Sequence, residues 1–211
     1  MPIRVAIVDD HPALREGTAT LLAREPDMEV VSTVGTLADC LTLVEAPDPP
    51  DVVLLDIRLG DESGLRMLAG DRRRAGPPAD ARPAVIVWTG YDYPQYAAFA
   101  YRAGAAGFLV KTAPTVELVE AIRRVAGGGV YFSSRPDLRA PSLSDRERDV
   151  LQRLVAGRSN DEIGSDLGIT TRTVEAHLTR LFERFDVTSR TELATRAVRE
   201  GWLDMPALPA D

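Results

Sequence analysis

Five polar side chains fall at the ends of short apolar runs, and their types suit one chemistry. "IRVAIVDD" (3–10) closes on Asp9 and Asp10, "DVVLLD" (51–56) on Asp56, "AVIVWT" (84–89) on Thr89 and "AGFLVK" (106–111) on Lys111. If the runs are parallel strands, their carboxyl ends converge on a crevice where the strand order reverses. Three carboxylates crowded there repel one another, and a divalent cation would relieve the repulsion. An all-oxygen set with no cysteine or suitably placed histidine points to Mg²⁺, which keeps several waters and leaves a place for phosphate oxygen. The same set serves phosphoryl transfer onto a carboxylate. Asp56 would be the nucleophile, forming an aspartyl phosphate. Asp9 and Asp10 would hold the metal, while Thr89 and Lys111 take the phosphoryl oxygens. Singly, each residue reads as readily as a loop charge or a helix cap; the full set at the strand ends carries the argument. Lys111 is also the only lysine among 25 lysines and arginines. Arginine is a planar fork, whereas lysine is a compact point charge on a slim stem, and a crowded crevice calls for the second.

The elements that must position these residues follow from the apolar periodicity. Strands are predicted at 3–8, 29–34, 51–56, 84–89 and 106–111, with amphipathic helices near 12–24, 36–45, 62–74, 94–102 and 114–126. Pro12 and Pro114 stand where a first helical turn tolerates proline. Strands this apolar are buried on both faces, and their alternation with helices implies right-handed βαβ units in a five-stranded, doubly wound parallel sheet. "DRRRAGPPADARP" (71–83) reads as a solvated loop, and "GGGVYFSSRPDLRAP" (127–141) as a linker. Beyond it, four helices are expected near 144–156, 160–167, 171–185 and 189–201. Ser144 with Glu147, and Ser159 with Glu162, have the spacing of capping boxes. The organisation is thus an α/β domain at 1–126, a linker at 127–141, an all-α domain at 142–204 and a frayed tail at 205–211.

Bulk composition narrows the class. With 45% hydrophobic and 27% charged residues, the chain is an ordinary globular protein. Its single cysteine, Cys40, excludes an internal disulfide and suits a reducing cytoplasm. The N-terminus turns acidic too early for a signal peptide, and no apolar run reaches the roughly 18 residues of a membrane span. A net charge of −7 argues against coating nucleic acid non-specifically, but not against one local reading face.

Residues 1–126 resemble a response-regulator receiver domain, through "VDD", "LLDIRLGDESG", "TG" and "LVK" at the family's spacing. The resemblance implies a flavodoxin-like fold with strand order 2-1-3-4-5 and phosphorylation of Asp56 by a histidine kinase. It also implies that the backbone carbonyl of Arg58 completes the Mg²⁺ site, and that Thr89 and Phe108 act as the switch. Gly60 stands where the family usually has proline, which suggests a looser loop after Asp56. Phe108 lacks the hydroxyl that an aromatic switch residue would bond. Arg58 and Tyr91, each two residues beyond a site residue, are expected to flank the phosphoryl group and slow attack by water. His11 reads as a helix-start residue. Seven of the twelve aromatics lie between Trp88 and Phe108; they suit either core packing or an exposed docking surface near the fourth helix.

"SNDEIGSDLGITTRTVEAHLTRLFERF" (159–185) has the punctuation of a helix-turn-helix. Ile163, Leu167, Val174, Leu178 and Leu181 would hold the pair together. Arg172, Thr173, Glu175, Ala176, Thr179 and Arg180 would then face outward from a recognition helix in the major groove. Thr173 and His177 would approach phosphate, and Arg158, Arg172, Arg180 and Arg190 are further phosphate-contact candidates. With its flanks, the segment at 143–201 resembles the LuxR-type DNA-binding domain, which implies a homodimer formed through the last helix (189–201) on double-stranded DNA. Glu175 stands where many relatives have lysine.

Together these readings describe a NarL/LuxR-type response regulator, a DNA-binding protein with no enzymatic chemistry beyond phosphorylation and dephosphorylation of Asp56. Two other classes stay open at this point. One is a phosphorylation-independent regulator or protein-interaction module with a vestigial receiver site; the other is a phosphohydrolase using Asp56 covalently.

Overall fold

The computed structural model describes residues 1–71, 83–133, 136 and 143–206, and the chain divides into two compact units. In the first, strands β1 (Ile3–Val8), β2 (Met28–Val34), β3 (Val52–Leu55), β6 (Ala84–Thr89), β7 (Gly107–Val110) and β8 (Tyr131–Phe132) form one parallel sheet in the order β2-β1-β3-β6-β7-β8. Helices α1 (Pro12–Leu22), α2 (Leu37–Val44), α3 (Leu65–Asp71), α4 (Pro94–Arg102) and α5 (Thr115–Ala126) alternate with the strands. β3 is buried at every position because both of its faces are covered. α5 turns Leu118, Val119, Ala121, Ile122 and Val125 onto Val5, Ile7, Leu54, Ile86 and Leu109 of the sheet, with the three-to-four-residue spacing of a one-faced helix. Cys40 packs in this unit against the Met67 sulfur at 3.4 Å, and burial pushes its thiol up to about 12.

The expected strand order holds, with two additions. The "VYF" of the expected linker contains β-branched and aromatic residues, and it pairs with the otherwise open edge of β7 as a sixth strand. Tyr131 N–H donates to the Ala106 carbonyl (2.9 Å), its hydroxyl donates to Glu117 (3.0 Å), and Phe132 meets Tyr101 edge-on. A two-stranded antiparallel ribbon pairs β4 (Arg58–Leu59) with β5 (Glu62–Ser63), and β5 takes the first residues of what was expected to be the third helix. The expected solvated loop lies almost wholly outside the described residues, as does much of the linker beyond Ser133.

The second unit holds α6 (Asp145–Val155), α7 (Asn160–Leu167), α8 (Thr171–Phe185) and α9 (Arg190–Arg199). Both expected capping boxes form: the Ser144 and Ser159 hydroxyls accept from the N–H groups of Glu147 and Glu162, whose carboxylates return to the serine N–H groups. Glu147 does more, because it is buried and also accepts from Arg184 Nη1 at 2.7 Å, tying the start of α6 to the end of α8. Phe185 stacks on Trp202 at 3.8 Å, and Met205 is buried, so the beginning of the expected frayed tail is packed.

Burial raises the Glu147 carboxyl, but the Ser144 N–H and the Arg184 guanidinium outweigh it and hold the group below its usual range. A depressed carboxyl adds stability above its ordinary range, and that stability is lost as pH falls through the lowered value. Glu147→Gln should therefore cost the second unit roughly 1.5–3 kcal/mol at neutral pH, with the deficit shrinking on acidification. Urea unfolding of the full chain, followed by helical signal at two pH values, checks both the size and the trend.

Candidate functional site

Asp9 directly follows β1, Asp56 directly follows β3, Thr89 ends β6 and Lys111 directly follows β7. Because those strands are neighbours in one parallel sheet, the four side chains belong to one end of it. The Lys111 ammonium lies 2.5 Å from Asp9 Oδ2 and 2.6 Å from Asp56 Oδ2, and both carboxylates are almost wholly shielded from solvent. The Trp88 ring lies 5.5 Å from the same nitrogen. Asp56 Oδ1 accepts from the N–H of Ile57 at 2.7 Å. Burial pushes the Asp56 carboxyl above its usual range; Lys111 and the Ile57 N–H pull it down, and the charge of Asp9 adds to the push. A single small cation bridging two buried anions is a task for an ammonium, since a guanidinium spreads its donors over a rigid plane.

The ligand atoms of Asp9, Asp10, His11 and Asp56 lie within 4.8 Å of one another. Asp9 Oδ2 and Asp10 Oδ1 are buried and lack hydrogen-bond partners; the Lys111 ammonium lies beside the first and the His11 ring beside the second. Such oxygen donors fit a hard divalent cation. The His11 N–H donates to Asp9 Oδ1 at 2.8 Å, and its ring nitrogen Nδ1 sits 2.7 Å from Asp10 Oδ1. His11 is the N-cap residue of α1, as expected, but it also neighbours both acids, so the expectation that no histidine is suitably placed beside the carboxylates fails: the start of α1 brings its ring to them.

The loop after Asp56 is tied to the site at Gly60. Gly60 takes φ 63°, a left-handed conformation closed to proline, and turns the β4–β5 hairpin. Its N–H, which proline would lack, donates to Asp10 Oδ2 at 3.0 Å. At Gly64 a Cβ would collide with the carbonyl oxygen of Asp56, so the chain can pass beneath the site only as glycine. The hairpin carries Arg58, whose guanidinium stacks on Tyr91 at 5.0 Å from the ring centre, and Tyr91 in turn packs against Tyr93 and Tyr96. Thr89 is fully buried, and its hydroxyl accepts from the Tyr91 N–H at 3.4 Å. Phe108 is buried in β7, registered with Val87 on one side and Phe132 on the other. Trp88, Tyr96, Phe99 and Phe108 are core residues, whereas Tyr101 is exposed.

In the second unit, Ile163, Val174, Leu178 and Leu181 are buried and Leu167 is half-buried, so α7 and α8 pack as expected. Arg172, Thr173, Glu175, Ala176, Thr179 and Arg180 are exposed on α8. His177 is half-buried, with a buried Nδ1 that has no hydrogen-bond partner. A capped helix, a tight turn and a second helix with one polar outward face form a helix-turn-helix.

Comparison with known proteins agrees with both units. Residues 5–123 match the response regulator receiver domain, and residues 141–197 match the bacterial regulatory proteins of the luxR family. The chain is a DNA-binding response regulator of the two-component type. It is 36% identical to the transcriptional regulatory protein MctR of Rhizobium johnstonii over 94% of each chain. The solved receiver domain of the response regulator NarL from Mycobacterium tuberculosis is 33% identical, with a TM-score of 0.54 over 60% of this chain and 98% of that one. A structure of RcsB dimers bound to DNA shares the fold, with a TM-score of 0.66 at 19% identity over 98% of this chain and all of that one.

For a response regulator, this receiver differs in its details from what its motifs suggest. The latch from Gly60 to Asp10 and the contacts of His11 join residues that motif spacing treats separately. The one available signal was glycine in place of the usual proline. Arg190, a phosphate-contact candidate, is half-buried and donates to Asn160 Oδ1 (2.9 Å) at the start of α7 and to the Arg158 carbonyl. Arg158 itself stays exposed beside Glu162. Among the described residues, no helix is long and apolar enough to cross a membrane.

Proposed function

We propose that this regulator is switched by phosphorylation of Asp56, and the observation that carries the reading is the Lys111 ammonium held between Asp9 and Asp56. A histidine kinase would supply the phosphoryl group in the cytoplasm. An Asp56 carboxylate oxygen bonds to phosphorus as the bond from phosphorus to the donor imidazole breaks, and the imidazole nitrogen leaves with the electron pair. Lys111 holds the carboxylate in place and, with the Thr89 hydroxyl, accepts the charge of the arriving oxygens. Asp9, Asp10, Asp56 and the Arg58 carbonyl would hold Mg²⁺, which supplies positive charge against the phosphoryl oxygens. The receiver spans 1–126 with β8 added to its edge, residues 127–141 lead onward, and 142–204 bind DNA ahead of a short tail at 205–211.

Thr89 and Phe108 would move together when the phosphoryl group binds one state better than the other, a shift of populations that favours the homodimer. Two copies of α8 would then reach double-stranded DNA, using Arg172, Thr173, Glu175, Ala176, His177, Thr179 and Arg180. The exposure of that face supports the reading. The exposed guanidinium of Arg58, stacked on Tyr91, would cover the phosphoryl group and slow its hydrolysis.

Acetyl phosphate with Mg²⁺ should label the wild type at one residue and leave Asp56→Asn unlabelled, read by phosphate-affinity electrophoresis. Equal labelling of the two proteins would remove Asp56 from its role. Replacing both shielding residues, Arg58→Ala with Tyr91→Ala, should shorten the lifetime of the aspartyl phosphate about fivefold, equivalent to about 1 kcal/mol of barrier. An unchanged lifetime would show that the pair does not shield it.

A further inference from the structure

The second unit faces DNA with little positive charge to offer: residues 141–211 contain 10 arginines against 13 acidic residues. Affinity for a duplex rests largely on neutralising phosphates, so a carboxylate on the reading face carries an electrostatic cost. Glu175 is such a carboxylate, exposed in the second turn of α8, in the first half of the helix. Base edges are read by that part of a recognition helix.

The surroundings of Glu175 leave its carboxylate available. Glu147, Glu162 and Glu192 each spend theirs on the backbone at a helix start. Among the described residues the Glu175 side chain has no hydrogen bond or ion pair, although Arg172 stands one turn before it. Other polar groups of the face are engaged locally: the Thr173 hydroxyl with that of Thr170 at 2.8 Å, and the Thr179 hydroxyl with the Glu175 backbone carbonyl at 3.0 Å. Arg184 is bound to Glu147. Ala176, exposed beside Glu175, has no bulk to hold the helix away from a groove.

Only a donor can repay an unpaired carboxylate in the major groove, where the exocyclic amines of cytosine and adenine are the donors. Adenine sets its N7 acceptor beside the amine and would repel the second carboxylate oxygen, whereas cytosine presents N4–H₂ alone. We propose that Glu175 is a specificity-determining residue that selects cytosine at one position of each half-site by accepting from its N4 amine. The inference rests on the DNA-binding reading above and adds to it the base that is read. Its electrostatic counterpart is rejection: with no cytosine opposite Glu175, the carboxylate weakens binding to every other sequence.

The test uses the full-length protein treated with acetyl phosphate and Mg²⁺. Duplexes bound from a random pool should contain cytosine at one fixed position per half-site. In the selected duplex that cytosine is then replaced by 2-pyrimidinone, which lacks only the amino group, and affinities are measured by fluorescence anisotropy. The replacement should weaken the wild type roughly tenfold and Glu175→Ala by less than about twofold, the coupling expected of one base contact. Glu175→Ala should also bind unrelated duplexes more tightly than the wild type. If Glu175→Ala keeps the wild type's discrimination, or the selected sites hold no fixed cytosine, Glu175 does not read that base. A wild type that enriches no sequence at all would instead overturn the DNA-binding reading.

Discussion

One ammonium shared by two buried carboxylates organises the first unit. Lys111 touches both Asp9 and Asp56, and its charge offsets the burial that pushes the Asp56 carboxyl up. The contact constrains the sheet as much as the site, because the three residues follow three different strands. β1 and β3 must be neighbours, and β7 must end at the same level as both, for the distances to close. The order β2-β1-β3-β6-β7 satisfies that requirement, and the apolar runs that form the strands supply the burial that makes the charges costly. Site and core are therefore one structure: the burial that stabilises the fold also raises the Asp56 carboxyl, and the lysine restrains the rise.

Around that centre the chain adds short-range fixtures. Gly60 latches the hairpin to Asp10, Gly64 lets the backbone pass close to Asp56, and the Arg58–Tyr91 stack spans the strand ends of β3 and β6. β8 extends the sheet beside β7, so the segment leaving the first unit begins against the strand that carries Phe108 and leads to Lys111. The second unit is organised differently, by capped helix starts and the buried contact from Glu147 to Arg184. With Glu147, Glu162, Glu192 and Glu200 placed in caps and ion pairs, its outward face is defined as much by a carboxylate as by arginines.

Asp9, Asp56, Thr89 and Lys111 could be read from the sequence because each ends or directly follows an apolar run, and run ends in a parallel sheet share one edge. The helix-turn-helix was legible for a similar reason: Ser144, Ser159 and Gly168 mark helix boundaries through local hydrogen bonds. What stayed hidden depends on long-range geometry. The bond from Gly60 to Asp10 joins residues 50 apart in the chain, and nothing local to either announces it. β8 is two residues long, too short for its aromatic residues to announce a strand without the edge of β7. The bonds from Arg190 to Asn160 and to the Arg158 carbonyl were hidden for the same reason, since those partners lie about 30 residues away in the chain.

The central claim is that the site needs an ammonium at position 111 rather than any positive charge. The most direct measurement is the DNA affinity of full-length Lys111→Arg, with and without acetyl phosphate and Mg²⁺, beside the wild type. The expected result is that phosphorylation conditions tighten binding by the wild type and leave the variant unchanged, although the charge is conserved. A variant that tightens on DNA as the wild type does would contradict the account.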